Sequence, residues 1–164
     1  MITKANINHL NEIITVLKDT IVSMNTQGLY QWNENYPNEN TIISDIDKEE
    51  LFVKIDDDSI KGFVVLNQLE DKEYNKLNWN STKDNSLIIH RLCVSPKFQG
   101  CGVAKEIMEF THNYAKDNGY EYVRLDTSVN NKRSIAVYEK HGYNNVGVIT
   151  TEKGEYVCFE KHLI

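Results

Sequence analysis

The run from Leu87 to Glu106, "LIIHRLCVSPKFQGCGVAKE", constrains the fold of this chain more than any other segment. Leu87–Val94 is short, apolar and β-branched, the composition of a strand. Pro96 cannot donate to a sheet ladder, so the strand ends near Ser95. From Gly100 to Asn118 the apolar spacing turns helical, with Val103, Ile107, Phe110, Tyr114 and Ala115 in one stripe. A strand that passes through Gly100 and Gly102 into a helix lets a ligand come close to backbone, because glycine has no Cβ. The first N–H groups of the helix are orphan donors at the positive end of its dipole, a setting suited to an anion. Ala104 is small enough to serve the same purpose, and Lys105 adds a cation.

Two phosphate-binding designs fail on spacing. No glycine stands four residues before a Gly-Lys pair, as a Walker-type loop requires. Gly100-Cys101-Gly102 begins a dinucleotide fingerprint, but Lys105 occupies the third glycine position. A pyrophosphate cradle built on helix-start amides needs no third glycine and stays open. So, on the turn alone, does a plain entry to the helix.

The rest of the chain reads as a mixed α/β series. Ile7, Leu10, Ile13, Ile14, Leu17, Ile21 and Met24 lie at helical spacing over residues 7–25, with Asn6 or Asn8 as cap. "GLYQWNENYPN" (Gly28–Asn38) lacks periodicity and reads as a loop. A short helix follows over about residues 39–48. Leu51, Val53 and Ile55 alternate, "DDDS" turns the chain, and "IKGFVVLNQL" resumes, which predicts a hairpin with a longer turn. Residues 70–86 are polar and read as an exposed loop. After the helix that begins near Gly100, Gly119 supplies a C-cap. "YEYVRLDTS" is a strand, "NNKRSIAVYEKHGY" a helix stopped by Gly142, and "NNVGVIT" and "EYVCFEKHL" a closing pair of strands.

The chain has 164 residues, enough for one domain with a real core, and no linker-like stretch divides it. Its net charge of −6 argues against nucleic acid as partner, which calls for a basic face, and mildly favours a neutral or cationic substrate. The three cysteines, Cys93, Cys101 and Cys158, are odd in number and form no CxxC, so neither a metal site nor a disulfide framework is expected, and a reducing cytoplasm fits. The start shows no signal-peptide design, and no apolar run reaches membrane-spanning length.

Gln99-Gly100-Cys101-Gly102-Val103-Ala104 resembles the Q/R-x-x-G-x-G/A signature of the GNAT N-acetyltransferases, with "LCVSP" as the strand end before it. Downstream, "NNKRSIAVYEKHGY" is similar to the family's N-x-x-A-x-x-x-Y-x-K-x-G-F, with Asn131, Tyr138, Lys140 and Gly142 in place, Ser134 for the alanine and Tyr143 for the phenylalanine. The resemblance covers essentially the whole chain. It implies a mostly antiparallel, twisted sheet of six to seven strands, about four flanking helices, and a parallel splay between two central strands.

The resemblance further implies direct acetyl transfer from acetyl-CoA to a primary amine of a small molecule or peptide. An acyl-CoA-binding sensor that has lost catalysis is the alternative on the same fold. Backbone of Gln99, Gly100, Cys101, Gly102, Val103 and Ala104, with Lys105 nearby, would take the pyrophosphate. Backbone of Leu92, Cys93 and Val94 would pair with the pantetheine arm, and the amide of Val94 or Cys93 would polarise the thioester oxygen. Tyr138 would protonate or hydrogen-bond the leaving thiolate, and Asn131 would hydrogen-bond the cofactor. The base is open. Alternation places Ile88, His90, Leu92 and Val94 on one face, where His90 has a suitable intrinsic pKa; Asp126, Glu70 or a water chain are alternatives. Trp32 and Tyr36 are candidates for the acceptor pocket or for stapling their loop to the core. A homodimer is common among such proteins.

Overall fold

Leu51–Asp56 (β2) and Ser59–Asn67 (β3), both buried on two faces over most of their length, form an antiparallel hairpin, with Leu51 opposite Val65 and Val53 opposite Phe63. The structure, a computed structural model, describes every residue from Met1 to Ile164. Its remaining strands are Ile2–Lys4 (β1), Ser86–Val94 (β4), Tyr122–Ser128 (β5), Asn144–Thr151 (β6) and Gly154–His162 (β7). The helices are Leu10–Thr26 (α1), Glu39–Asp47 (α2), Val103–Asp117 (α3) and Lys132–Lys140 (α4). The seven strands form one sheet in the order β1-β2-β3-β4-β5-β7-β6. Strands β4 and β5 run parallel, with Ser86 opposite Tyr122 and Ile88 opposite Arg124, while the other described pairs are antiparallel. No helix is long and apolar enough to cross a membrane.

By packing, the chain divides into two compact units, residues 1–66 with 90–110 and residues 67–89 with 111–164. The first unit is cored by Ile13, Val16 and Leu17 of α1, Ile42 and Ile46 of α2, and Val53, Phe63 and Val65 of the hairpin. Each of these buried side chains contributes about 1.5–3 kcal/mol of transfer free energy. Asn6 caps a 3-10 turn at Ile7–His9 that leads into α1. Ile7, expected on the apolar stripe of the helix, lies in that turn and is 58% exposed. The hairpin turn is also tighter than expected. Asp57 and Asp58 both adopt left-handed φ (51° and 58°), the conformation of a two-residue turn matched to strand twist. Aspartate tolerates that region, so no longer loop is needed.

The second unit holds β5, β6 and β7, in which Leu125 faces Phe159 across the β5–β7 ladder. Here the polar segment expected to be an exposed loop is partly buried. Tyr74, in a 3-10 helix at Lys72–Lys76, is 2% exposed and packs with Ile88, Ile149 and Cys158. The cause is a buried charge. Arg124 of β5 donates from Nε to Ser81 Oγ (2.8 Å), from Nη1 to Glu70 (2.7 Å) and from Nη2 to the Ser81 carbonyl (2.9 Å). The Trp79 ring covers its guanidinium at 4.3 Å. Glu160 of β7 accepts from the amides of Asn80 and Ser81. A buried guanidinium must find acceptors, and this segment supplies them.

Candidate active site

The turn after β4 is built by a chain of backbone hydrogen bonds. Ser95 N–H donates to the Lys61 carbonyl (2.9 Å), which ties the strand end to β3. Pro96–Phe98 form a 3-10 turn, and Cys101 N–H returns to the Phe98 carbonyl (3.2 Å). Lys61 Nζ lies 3.6 Å from the centroid of the Phe98 ring. Gly100 and Gly102 adopt φ of +80° and +85°, where a Cβ costs roughly 1–2 kcal/mol. Glycine is therefore required by the backbone itself. The positions a Cβ would take at Gly100 and Gly102 have no atom within 4 Å, so the space beside the turn is open.

The first helical bond of α3 runs from Glu106 N–H to the Gly102 carbonyl (3.1 Å). The amides of Val103, Ala104 and Lys105 therefore precede the internal ladder of α3, as orphan donors do. Glu106 pairs with the buried Lys54 of β2, which also meets Asp56 at 3.1 Å. That brace fixes the first turn of α3 within the first unit. Gly62 of β3 adds a second constraint: a Cβ there would stand 2.6 Å from the Cys93 carbonyl oxygen.

On β4, Arg91 has φ of +44°. A left-handed residue interrupts the two-residue alternation, so a face counted from Ile88 and His90 does not carry through to Leu92 and Val94. His90, Leu92 and Val94 are half-buried, while Cys93 is buried. The Cys93 thiol donates to Thr20 Oγ1 (3.2 Å), and burial pushes it up to about 12, so it is not a nucleophile at neutral pH.

The loop before α2 is held at both of its singled-out aromatics. Trp32 packs on the core of the first unit. Tyr36 and Asn33 exchange backbone hydrogen bonds, and Tyr36 Oη accepts from Arg91 Nη1 (2.8 Å). Arg91 also grips Asp45 of α2 with Nε (2.8 Å) and Nη2 (2.6 Å). Burial raises the Asp45 carboxyl in spite of the neighbouring guanidinium.

In the second unit, Asn131 caps α4 by accepting from Ser134 N–H (3.2 Å). Tyr138 is buried in α4, its ring 5.9 Å from that of Tyr143 and 6.0 Å from that of Phe159. Burial, and secondarily the Asp126 carboxylate, raises its phenol, which stays protonated. Tyr143 Oη meets His112 Nε2 at 2.8 Å, and burial lowers His112 to about 4. Tyr74 Oη donates to Asp126 Oδ2 (2.6 Å). Glu70 is committed to Arg124 and is thereby removed as a free base.

The model of the acetyltransferase (GNAT) family matches residues 17–143. The chain belongs to that family.

Among curated relatives, the chain is 36% identical over 59 residues to the mouse protein called "Probable N-acetyltransferase family 8 member 5", covering 36% of this chain and 26% of that one. It is 31% identical over 94 residues to a streptothricin acetyltransferase of Escherichia coli, covering 57% of this chain and 54% of the relative. The chain thus spans between about a quarter and a half of the length of these relatives. Among solved structures, a GNAT-family acetyltransferase from Streptococcus agalactiae superposes with a TM-score of 0.88 at 23% identity, over 99% of this chain and 94% of that one. That likeness establishes the fold.

Trp32, Tyr36, His90, Leu92–Val94 and Gln99–Lys105 thus lie in the first unit, and Asn131 and Tyr138 in the second. Sequence reading missed Arg91 and Asp45, which join Tyr36. The available signal was Asp45 itself: it sits three residues after Ile42 on the apolar side of α2, where a carboxylate needs a cation.

Proposed function

We propose that residues 1–164 act as one transferase domain that moves an acetyl group from acetyl-CoA to a primary amine of a small molecule or peptide. The observation that carries this reading is the Gly100–Gly102 turn at the start of α3, in a chain of the GNAT family. The residues fit the cofactor. The turn is open where a Cβ would stand, α3 starts with three amides ahead of its ladder, and Lys105 is exposed. Backbone of Gln99–Ala104 binds the pyrophosphate, with Asn131 as a further donor. Backbone of Leu92–Val94 binds the pantetheine arm, and the Val94 or Cys93 amide polarises the carbonyl oxygen. Acetyl-CoA supplies the activated thioester.

Tyr138 acts on the leaving sulfur. A thiol has an ordinary pKa of about 8.5 and a phenol about 10, and burial widens that gap. Full proton transfer from Tyr138 is therefore uphill, and its contribution is a hydrogen bond to the thiolate. His90 is one candidate for taking the amine proton. The net charge of −6 favours a cationic acceptor, and the three free cysteines fit a cytoplasmic setting.

The test is thiol release from acetyl-CoA with an amine panel, beside calorimetric binding of CoA. Turnover with at least one amine supports the reading. Tight CoA binding without turnover turns it into a sensor, and displacement of CoA by NAD sinks it.

A further inference from the structure

Strand β5 sends two ionisable side chains into the same segment of the second unit. Arg124 and Asp126 lie two residues apart and share a face. Arg124 is answered by Glu70, Ser81 and Trp79. Asp126 is not paired with any cation. Its one described partner is the hydroxyl of Tyr74, itself 2% exposed. Asp126 is half-buried.

The register sets its direction. Leu125 opposes Phe159, and Asp126 opposes Cys158. Tyr138 packs on Phe159, so it belongs to the Leu125 face. Asp126 projects from the opposite face, with Tyr74 and Cys158. A direct transfer needs a donor on the side of the leaving sulfur and a proton acceptor on the side of the attacking nitrogen. Successive residues of one strand supply two such sides.

Resting on the transferase reading above, we propose that Asp126, oriented by Tyr74, receives the acceptor as an aliphatic ammonium and takes its proton. The ammonium gives one proton to the Asp126 carboxylate, and the freed lone pair forms the N–C bond. The C–S bond breaks and sulfur keeps the electron pair, hydrogen-bonded by Tyr138. The second nitrogen proton reaches sulfur through water, and Asp126 returns its proton to solvent.

Tyr74 and Asp71 from the 70–76 segment and Cys158 from β7 share the side of Asp126, and Tyr138 feels its charge from the Leu125 face. The cation on that side, Arg124 of the same strand, is paired with Glu70. Burial raises the Asp126 carboxyl, the Tyr74 hydrogen bond pulls it down, and Asp71 pushes it up.

Carboxyl-carbon NMR of Asp126 tests this without turnover. Its titration is expected above the ordinary aspartate range, to move further up in Tyr74→Phe, and to move down with saturating propylamine. An ordinary midpoint indifferent to propylamine overturns the assignment. With propylamine, spermidine or lysine methyl ester as acceptor, Asp126→Asn is expected to lower kcat/KM at least roughly 100-fold. Acetyl-CoA affinity and Tm should hold, and the acid limb of the pH profile should vanish, whereas His90→Gln keeps it. Wild-type turnover in Asp126→Asn overturns the assignment but leaves acetyl transfer standing. If the wild type releases no CoA with any amine, the transferase reading fails, and the NMR response decides Asp126 separately.

Discussion

Arg91 of β4 holds Asp45 of α2 through two hydrogen bonds, at 2.8 and 2.6 Å, with both side chains largely buried. Removing one partner leaves the other charged in a low-dielectric setting. Arg91→Ala or Asp45→Ala is expected to cost about 3–5 kcal/mol, read as a lower urea midpoint. The double variant Arg91→Met with Asp45→Leu should recover part of the loss. Single variants within about 0.5 kcal/mol of wild type would show that the pair contributes nothing.

Arg91 also donates to Tyr36, which ties the 29–38 loop to β4. Tyr36→Phe removes one hydrogen bond and leaves the ring. It should lower stability by about 1 kcal/mol and raise the amine KM more than it lowers kcat. Equal effects on both would argue against a role of this loop at the acceptor.

Gly102 is fixed by its φ of +85° and Gly62 by its approach to Cys93. The two should fail differently. Gly102→Ala is expected to cost roughly 1–2 kcal/mol and to weaken CoA binding, with the turn distorted at the helix start. Gly62→Ala should cost roughly 1–3 kcal/mol by overpacking against backbone. Calorimetry beside thermal melting separates binding from folding; unchanged CoA affinity in Gly102→Ala would remove this turn from the phosphate role.

Tyr138→Phe deletes the hydroxyl and keeps the packing against Tyr143 and Phe159. A hydrogen bond to a developing charge contributes about 1.5–3 kcal/mol, so kcat should fall roughly 10–100-fold. CoA affinity should stay within about twofold. A wild-type kcat would release Tyr138 from any role at the sulfur.

His112 gives the fold a pH dependence. Burial lowers it from about 6.5 to about 4, so the native state holds it neutral. Its contribution is fully present above about pH 6.5 and is lost as pH falls toward 4, because the unfolded chain takes up the proton first. Urea midpoints should decline over that window, and decline less in the His112→Phe/Tyr143→Phe double variant. A decline of equal size in both proteins would locate the effect in other groups.

Periodicity and turn chemistry placed most elements correctly. The stripe of α1, the glycine stops at Gly119 and Gly142 and the strand–turn–helix at Leu87–Glu106 depend on contacts within a few residues, and such contacts are written in the local sequence. The family followed from two short motifs for the same reason. What sequence could not show was long-range. Polar composition over residues 70–86 looked like a solvated loop, because nothing nearby announces that Arg124 and Glu160 need partners. Alternation through β4 looked regular, because nothing in the neighbouring residues marks the left-handed φ of Arg91. The partners of Asp45, Asp126 and His112 lie 46, 52 and 31 residues away. The sequence alone determined the elements and the glycine turn, since hydrophobic spacing and steric freedom act locally. Only the tertiary structure decided which charges are buried and with whom, because desolvation exists only once the chain has folded around them.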